Sequence, residues 1–389
     1  MNHKVLDKVQ KVEDTLTDRQ TDRQTDRQTD RQTDRQIGID IYKILCCFLI
    51  TTIHLFGYSD FLSIEDINRT NFIVAGVISS ANIVGTSGFI FITGYFLCES
   101  GTKVNIKRIV SFILQLNFIS VSIFLVVLVL NGNFSVTYLV NSFFPILSQH
   151  YWYPFNYIVL LLVSPFLNIL VHNTTRKELA GIIVLLVCVI GVFLKINPFY
   201  TPSVFVGHYS HGFVWWGLLY LTAAYYRLYG VRHTTLCGAV LFFGCVFFGL
   251  LLLIGEKYVP VIGKSGLLED DSIIGWLATT SSFIMLHQIK WREGKMVGRL
   301  MKYIVPSTFI VYILQEHNMV GKMLWQWVNI SQYAQASVFQ LIMVMILTFG
   351  AIWAVATILY LAYLIAKKIY IGKIETIFEL IIRKVISKL

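Results

Sequence analysis

The stretch Ile39-Asp40-Ile41-Tyr42-Lys43-Ile44-Leu45-Cys46-Cys47-Phe48-Leu49-Ile50-Thr51-Thr52-Ile53-His54-Leu55-Phe56-Gly57 decides the fold. It is long and apolar enough to cross a bilayer, which takes roughly 20 residues. Yet it carries an Asp, a Lys and a His. Hydrocarbon excludes such groups unless they serve a purpose, so they mark a functional site. Lys43 and His54 are eleven positions apart, close to three helical turns. At about 100° per residue they share a face within about 20°, separated by about 16 Å along the axis. A basic group near one membrane face is thereby aligned with an imidazole deeper in the bilayer.

The rest of the chain has the same character. Of 389 residues, 56% are hydrophobic and 14% are charged, where soluble chains carry about 25% charged residues. The mean hydropathy is +0.65. An all-α polytopic membrane protein is expected, a bundle of about ten transmembrane helices. The spans are predicted at 41–58, 72–98, 109–130, 153–171, 179–196, 212–226, 236–255, 268–289, 304–327 and 337–366. Glu316, His317 and Lys322 interrupt the ninth. The six cysteines all lie in apolar runs and read as packing residues.

Charge orients the bundle. The loops at 99–108, 172–178, 227–235 and 290–303 hold three, two, two and five Lys/Arg. The alternate loops at 59–71, 131–152, 197–211, 256–267 and 316–336 hold one, none, none, two and one, and six follow residue 366. Positive charge stays on the cytoplasmic side, so both termini are expected there. The net charge of +10 is thus a topology signal, and no nucleic-acid partner is expected. The loops are short, so the membrane domain at 37–366 must do the work, with a basic cytoplasmic tail at 367–389.

Residues 1–36 read as a separate, disordered tail. Thr-Asp-Arg-Gln repeats five times in tandem from Thr17 to Gln36, with no apolar face to bury. The codons ACA-GAC-AGA-CAG spell this peptide and are also ACAG written three times. A tetranucleotide tract of that kind shifts the downstream frame whenever replication slips by one unit. Phase variation of a surface structure is the expected consequence.

Four groups of residues are candidates for chemistry. An imidazole, such as that of His54, can take a proton from a hydroxyl and return it, and Lys43 is aligned below it. Lys107 and Arg108 lie on the basic side, where a guanidinium reads phosphate bidentately. Trp152, Tyr153 and Asn156, in Tyr151-Trp152-Tyr153-Pro154-Phe155-Asn156-Tyr157, form an aromatic cluster, either an interface belt or a sugar platform. Gln315 and His317 put polar groups at the far end of the ninth span, a costly placement unless they bind something. His208 and His211 lack an acidic partner nearby, and no metal site is expected.

These stretches together resemble the membrane-bound acyltransferase-3 family, particularly bacterial polysaccharide and lipopolysaccharide O-acetyltransferases. The resemblance runs over most of residues 37–366. Its most specific part is Ile39-Asp40, then a basic residue, Lys43, then ten residues and His54. The family often carries Arg where this chain has Lys43. Phe91-Ile92-Thr93-Gly94-Tyr95-Phe96-Leu97 is similar to the family's Ser-Gly-Tyr/Phe element, with Thr for Ser. Arg108, Trp152 with Ser164-Pro165-Phe166-Leu167-Asn168, and Tyr312-Ile313-Leu314-Gln315 with His317 match later signatures.

The resemblance implies ten spans and no permanently bound cofactor, with acetyl-CoA as co-substrate on the cytoplasmic side. It implies a hydroxyl of a cell-envelope glycan as acceptor, and residence in the bacterial inner membrane. His54 and Lys43 would then be catalytic, Lys43, Lys107 and Arg108 would hold the donor, and Trp152, Tyr153, Asn156, Gln315 and His317 would line the acceptor site. The competing reading is a transporter or flippase for a lipid-linked glycan. Transporters often show internal repeats between halves, and none is evident here.

Overall fold

The computed structural model describes residues 36–132, 134–148, 151–196, 212–230, 232–259, 266–267, 269–289 and 295–386. The tail and its repeat, up to residue 35, lie outside the described residues, as do His208 and His211. Every regular element described is helical. Apolar runs form the helices, and polar caps end the loops between them. The Asn68 side chain accepts from the Thr70 amide and Asn105 from Arg108, each opening the helix that follows. Thr175 with Glu178, and Ser337 with Gln340, form reciprocal capping boxes. Such caps satisfy amides that the first turn leaves without partners.

The first helix, α1, is Ile37–Gly57. Then come α2 (Arg69–Ala81) and α3 (Gly85–Leu97), joined through one 3₁₀ turn. Next are α4 (Ile106–Asn131), the short α5 (Val136–Phe143) and α6 (Trp152–Asn173). After these α7 (Arg176–Leu186) runs on without a break through a π-helical stretch, Val187–Phe193, to Ile196. The second half holds α8 (Phe213–Tyr229), α9 (Thr235–Tyr258), α10 (Ile273–His287) and α11 (Lys295–Ile304). It closes with α12 (Thr308–Glu316), α13 (Gly321–Val328), α14 (Val338–Ala366) and α15 (Gly372–Ile386). Among the described residues six stretches are long and apolar enough to cross a membrane: α1, α2–α3, α4, α6, α9 and the run from Val338 to Val385. Shorter helices complete the bundle, and the chain is a multi-pass membrane protein.

The ninth span, expected over 304–327 with Glu316, His317 and Lys322 interrupting it, is two short helices. α12 stops at Glu316, and α13 begins only at Gly321. His317 causes the break. It is fully buried, its Nε2–H donates to the Ser120 carbonyl at 3.3 Å, and its Nδ1 accepts from the Met319 amide at 3.3 Å. Those bonds hold the chain in a turn. The basic tail is helical through Ile386. Lys367 pairs with Glu375 at 3.1 Å and donates to the Ser111 hydroxyl at 2.9 Å, seating α15 against α4.

α1 is the helix that both cores share. Ile39, Tyr42, Cys46 and Leu49 belong to one apolar cluster, with Trp215, Trp216 and Phe283. Cys47, Leu55 and Phe56 belong to the other, with Ile310, Leu341 and Met345. Small residues permit this density. A Cβ on Gly88 would sit 2.4 Å from Cys46 Sγ, and one on Gly94 would sit 2.7 Å from the Tyr220 Cα. The glycines let α3 lie against α1 and α8 at backbone distance.

The basic loops share one end. Arg227 reaches Glu99 at 2.6 Å, Asn168 donates to the carbonyls of Leu97 and Gly101, and Gly38 lies against the Leu286 carbonyl. At the opposite end Lys195 pairs with both Glu269 and Asp271. This pairing follows the alternation of charge in the sequence.

Candidate active site

The site is built where α1 meets the break after α12. His54 lies in the last turn of α1. Its Nδ1 is 2.7 Å from Gln315 Oε1, and its Nε2 is 3.0 Å from Glu316 Oε1. The His54 side chain is 17% exposed and that of Glu316 21%, so the charge of Glu316 is only partly screened by solvent. Gln315 is fully buried, and its Nε2 donates to Thr51 Oγ1 at 2.7 Å. The imidazole is therefore held on one edge by an amide and faces a carboxylate on the other. That arrangement suits a group that gains and loses a proton.

Aromatic rings frame the imidazole. Tyr58 and Trp325 stack with centroids 6.0 Å apart, and their rings lie 6.2 and 6.1 Å from that of His54. The Trp325 indole N–H is buried and has no hydrogen-bond partner among the described residues. Tyr58 is half exposed, while Trp325 is buried.

A second cleft opens toward the basic end. It measures ≈ 450 Å³ and is lined by Asn105, Lys107, Arg108, Ser111, Phe112, Gln115, Tyr157 and Glu375. Lys107 and Arg108 come together in it, as first-turn residues of α4. Arg108 is exposed, with the Tyr157 hydroxyl beside its guanidinium. From Tyr157 a line of rings leads to the first site. Tyr157 stacks on Tyr153 at 6.2 Å, and Tyr153 meets Tyr312 at 5.6 Å. Tyr312 is one turn before Gln315 and Glu316 on α12.

The remaining candidates fall as follows. Lys43 sits 3.7 Å from Asp40, its i−3 neighbour. Trp152 packs edge-on against Tyr153, and Asn156 lies partly buried one turn along the same helix. His317 is the turn residue described above, with both ring nitrogens engaged inside the protein. Thr51, Tyr58 and Trp325 escaped the sequence reading. Thr51 did leave a trace, being three residues before His54 and so on the same face. Glu316 was legible as part of the polar cluster with Gln315 and His317 at the end of the ninth span.

Fold and site together define a class: a polytopic helical membrane protein with a histidine held between an amide and a carboxylate inside the bundle. Comparison with known families makes this specific. Residues 36–360 match the acyltransferase-3 family, described as an acyltransferase domain, and the chain belongs to it. It is a membrane acyltransferase. No curated protein and no solved structure matches the chain.

Proposed function

We propose that this protein transfers acetyl from acetyl-CoA to a hydroxyl of a cell-envelope glycan, in the inner membrane of a bacterium. The observation that carries the reading is the placement of His54 between Gln315 and Glu316. The donor is a polyanion on the cytoplasmic side. Arg108 and Lys107 in the cleft supply cations for its phosphates, and Lys43, already paired with Asp40, adds a weaker one. Its acyl arm follows Tyr157, Tyr153 and Tyr312 into the bundle. The acceptor enters from the opposite end and stacks on the half-exposed ring of Tyr58, with Trp325 buried behind it.

His54 Nε2 takes the proton of the acceptor hydroxyl as the oxygen attacks the thioester carbonyl. A C–O bond forms and the carbonyl π pair moves to oxygen. When that pair returns, the C–S bond breaks, and the leaving thiolate takes the proton back from Nε2. Glu316 stabilises the transient imidazolium. The pairing of Nε2 with a carboxylate favours direct transfer over an acyl-histidine. Asn156 and Trp152 belong to the lining of the same interior path.

The tandem repeat supports a surface product whose synthesis is switched by slippage. Membranes holding wild type or His54→Ala, given labelled acetyl-CoA, test the enzymatic reading. Loss of label from the envelope glycan in the variant is expected; equal labelling would sink the assignment.

A further inference from the structure

The hydrogen bonds around Gln315 have only one consistent direction. The Thr51 hydroxyl donates to the Cys47 carbonyl at 3.0 Å, a bond to the carbonyl one turn back. Its hydrogen is thereby spent, so toward Gln315 it can only accept. It lies 2.7 Å from Gln315 Nε2, which donates to it. The amide is then fixed with Oε1 toward His54, 2.7 Å from Nδ1. An amide oxygen accepts and never donates. Nδ1 must carry a hydrogen in both the neutral and the charged imidazole, and the exchangeable proton is confined to Nε2, opposite Glu316. Thr51 is 1% exposed and Gln315 0%, so water does not compete for either bond.

We infer that Thr51 is a positioning residue for acyl transfer: through the Gln315 amide it fixes the tautomer of His54 and so makes Nε2 the base. The inference rests on the proposed role of His54. Without the Thr51 oxygen, nothing among the described residues holds the Gln315 amide against the pull of Glu316, which at 3.0 Å favours a hydrogen on Nε2. In the reversed orientation its N–H donates to Nδ1, the imidazole hydrogen moves to Nε2, and the base faces away from the reaction. A base held in the wrong tautomer loses most of its effect.

The test uses the full chain with Thr51→Val, which keeps the shape, and Thr51→Ser, which restores the oxygen. Acetyl transfer is followed in membranes over a range of acetyl-CoA concentrations. Ring-nitrogen NMR of histidine-labelled protein is recorded in parallel, the His54 signals being assigned by their loss in His54→Gln. Thr51→Val is expected to lower the rate at saturating acetyl-CoA by at least about tenfold, with KM for acetyl-CoA within about twofold of wild type. The protonated nitrogen of His54 moves from Nδ1 to Nε2, and Thr51→Ser returns both rate and spectrum to wild type. An unchanged His54 tautomer in Thr51→Val overturns the inference, as does failure of Thr51→Ser to rescue. If His54→Gln transfers acetyl as well as wild type, the proposed role of His54 fails instead. The tautomer measurement still reports on Thr51 in that case.

Discussion

Glu316 Oε1 lies 3.0 Å from His54 Nε2, on the edge of the imidazole away from Gln315. The carboxylate can stabilise positive charge on the ring only at the nitrogen left free to take a proton. Glu316→Gln keeps the shape and removes the charge. Its rate of acetyl transfer should fall by about 10²-fold or more, the scale of positioned acid–base catalysis, with KM for acetyl-CoA little changed. A rate above half of wild type would remove Glu316 from the mechanism.

The cleft at the basic end predicts a different kinetic signature. Arg108→Ala removes a planar cation from the donor's path, and about 2 kcal/mol is typical for a charge-assisted bond. KM for acetyl-CoA should rise by about tenfold or more, while the saturated rate falls less. Arg108→Lys should recover part of the loss, because the charge returns without the bidentate geometry. Lys43→Ala should have the smaller effect, since Lys43 already pairs with Asp40. The opposite ranking of Arg108 and Lys43 would move the donor site away from the cleft.

Lys195 links the end of the π-helical stretch to the loop before α10 by pairing with Glu269 and Asp271. Lys195→Met leaves two carboxylates without their cation, and breaking a buried pair costs about 3–5 kcal/mol. Burial pushes the Asp271 carboxyl above its usual range, and Lys195 opposes that rise. Removing Lys195 lifts it further. A carboxyl raised in the folded state contributes stability below its unfolded pKa and loses it as pH rises through the folded pKa. The variant in detergent should therefore melt at a lower temperature at pH 8 than at pH 5.5, by a wider gap than wild type.

Gly94→Ala should destabilise the bundle. The added methyl would meet the Tyr220 Cα at 2.7 Å and its carbonyl oxygen at 2.9 Å, backbone atoms that cannot move aside. Overpacking of this kind costs about 1–3 kcal/mol, more than the roughly 1 kcal/mol gained in helix propensity. Gly181→Ala is the control, having nothing within 4 Å of the added carbon. Thermal unfolding in detergent should separate the two, and equal midpoints would contradict the close approach of α3 and α8.

The Thr17–Gln36 repeat makes a prediction at the level of DNA. Its codons should be a pure tetranucleotide tract, and single-colony isolates should differ in unit number. Synonymous codon variation across the five units would end the slippage proposal.

The helices were legible because membrane insertion is a local property of sequence. About twenty apolar residues between polar caps suffice, and Ile37–Gly57, Ile106–Asn131 and Trp152–Asn173 announced themselves in that way. The sharing of one end by the basic loops followed from alternation of charge alone. The interruption near His317 was legible as polar residues in an apolar run, but the bond that holds the turn was not, because it depends on the Ser120 carbonyl of another helix. Nor was the course of Tyr153, which hydropathy places at a membrane boundary and packing places between Trp216 and Tyr312.

The sequence by itself determined that this chain spans a membrane many times, and that His54 stands where hydrocarbon penalises it. Hydropathy and helical period are read along one chain, and they needed nothing further. Only the tertiary structure decided what His54 meets. Gln315 and Glu316 are more than 250 positions away, and adjacent residues on a helix point in different directions. They both reach one imidazole because α12 ends at Glu316 and lets the two side chains close on its opposite edges. That meeting depends on packing between helices, which no local pattern encodes.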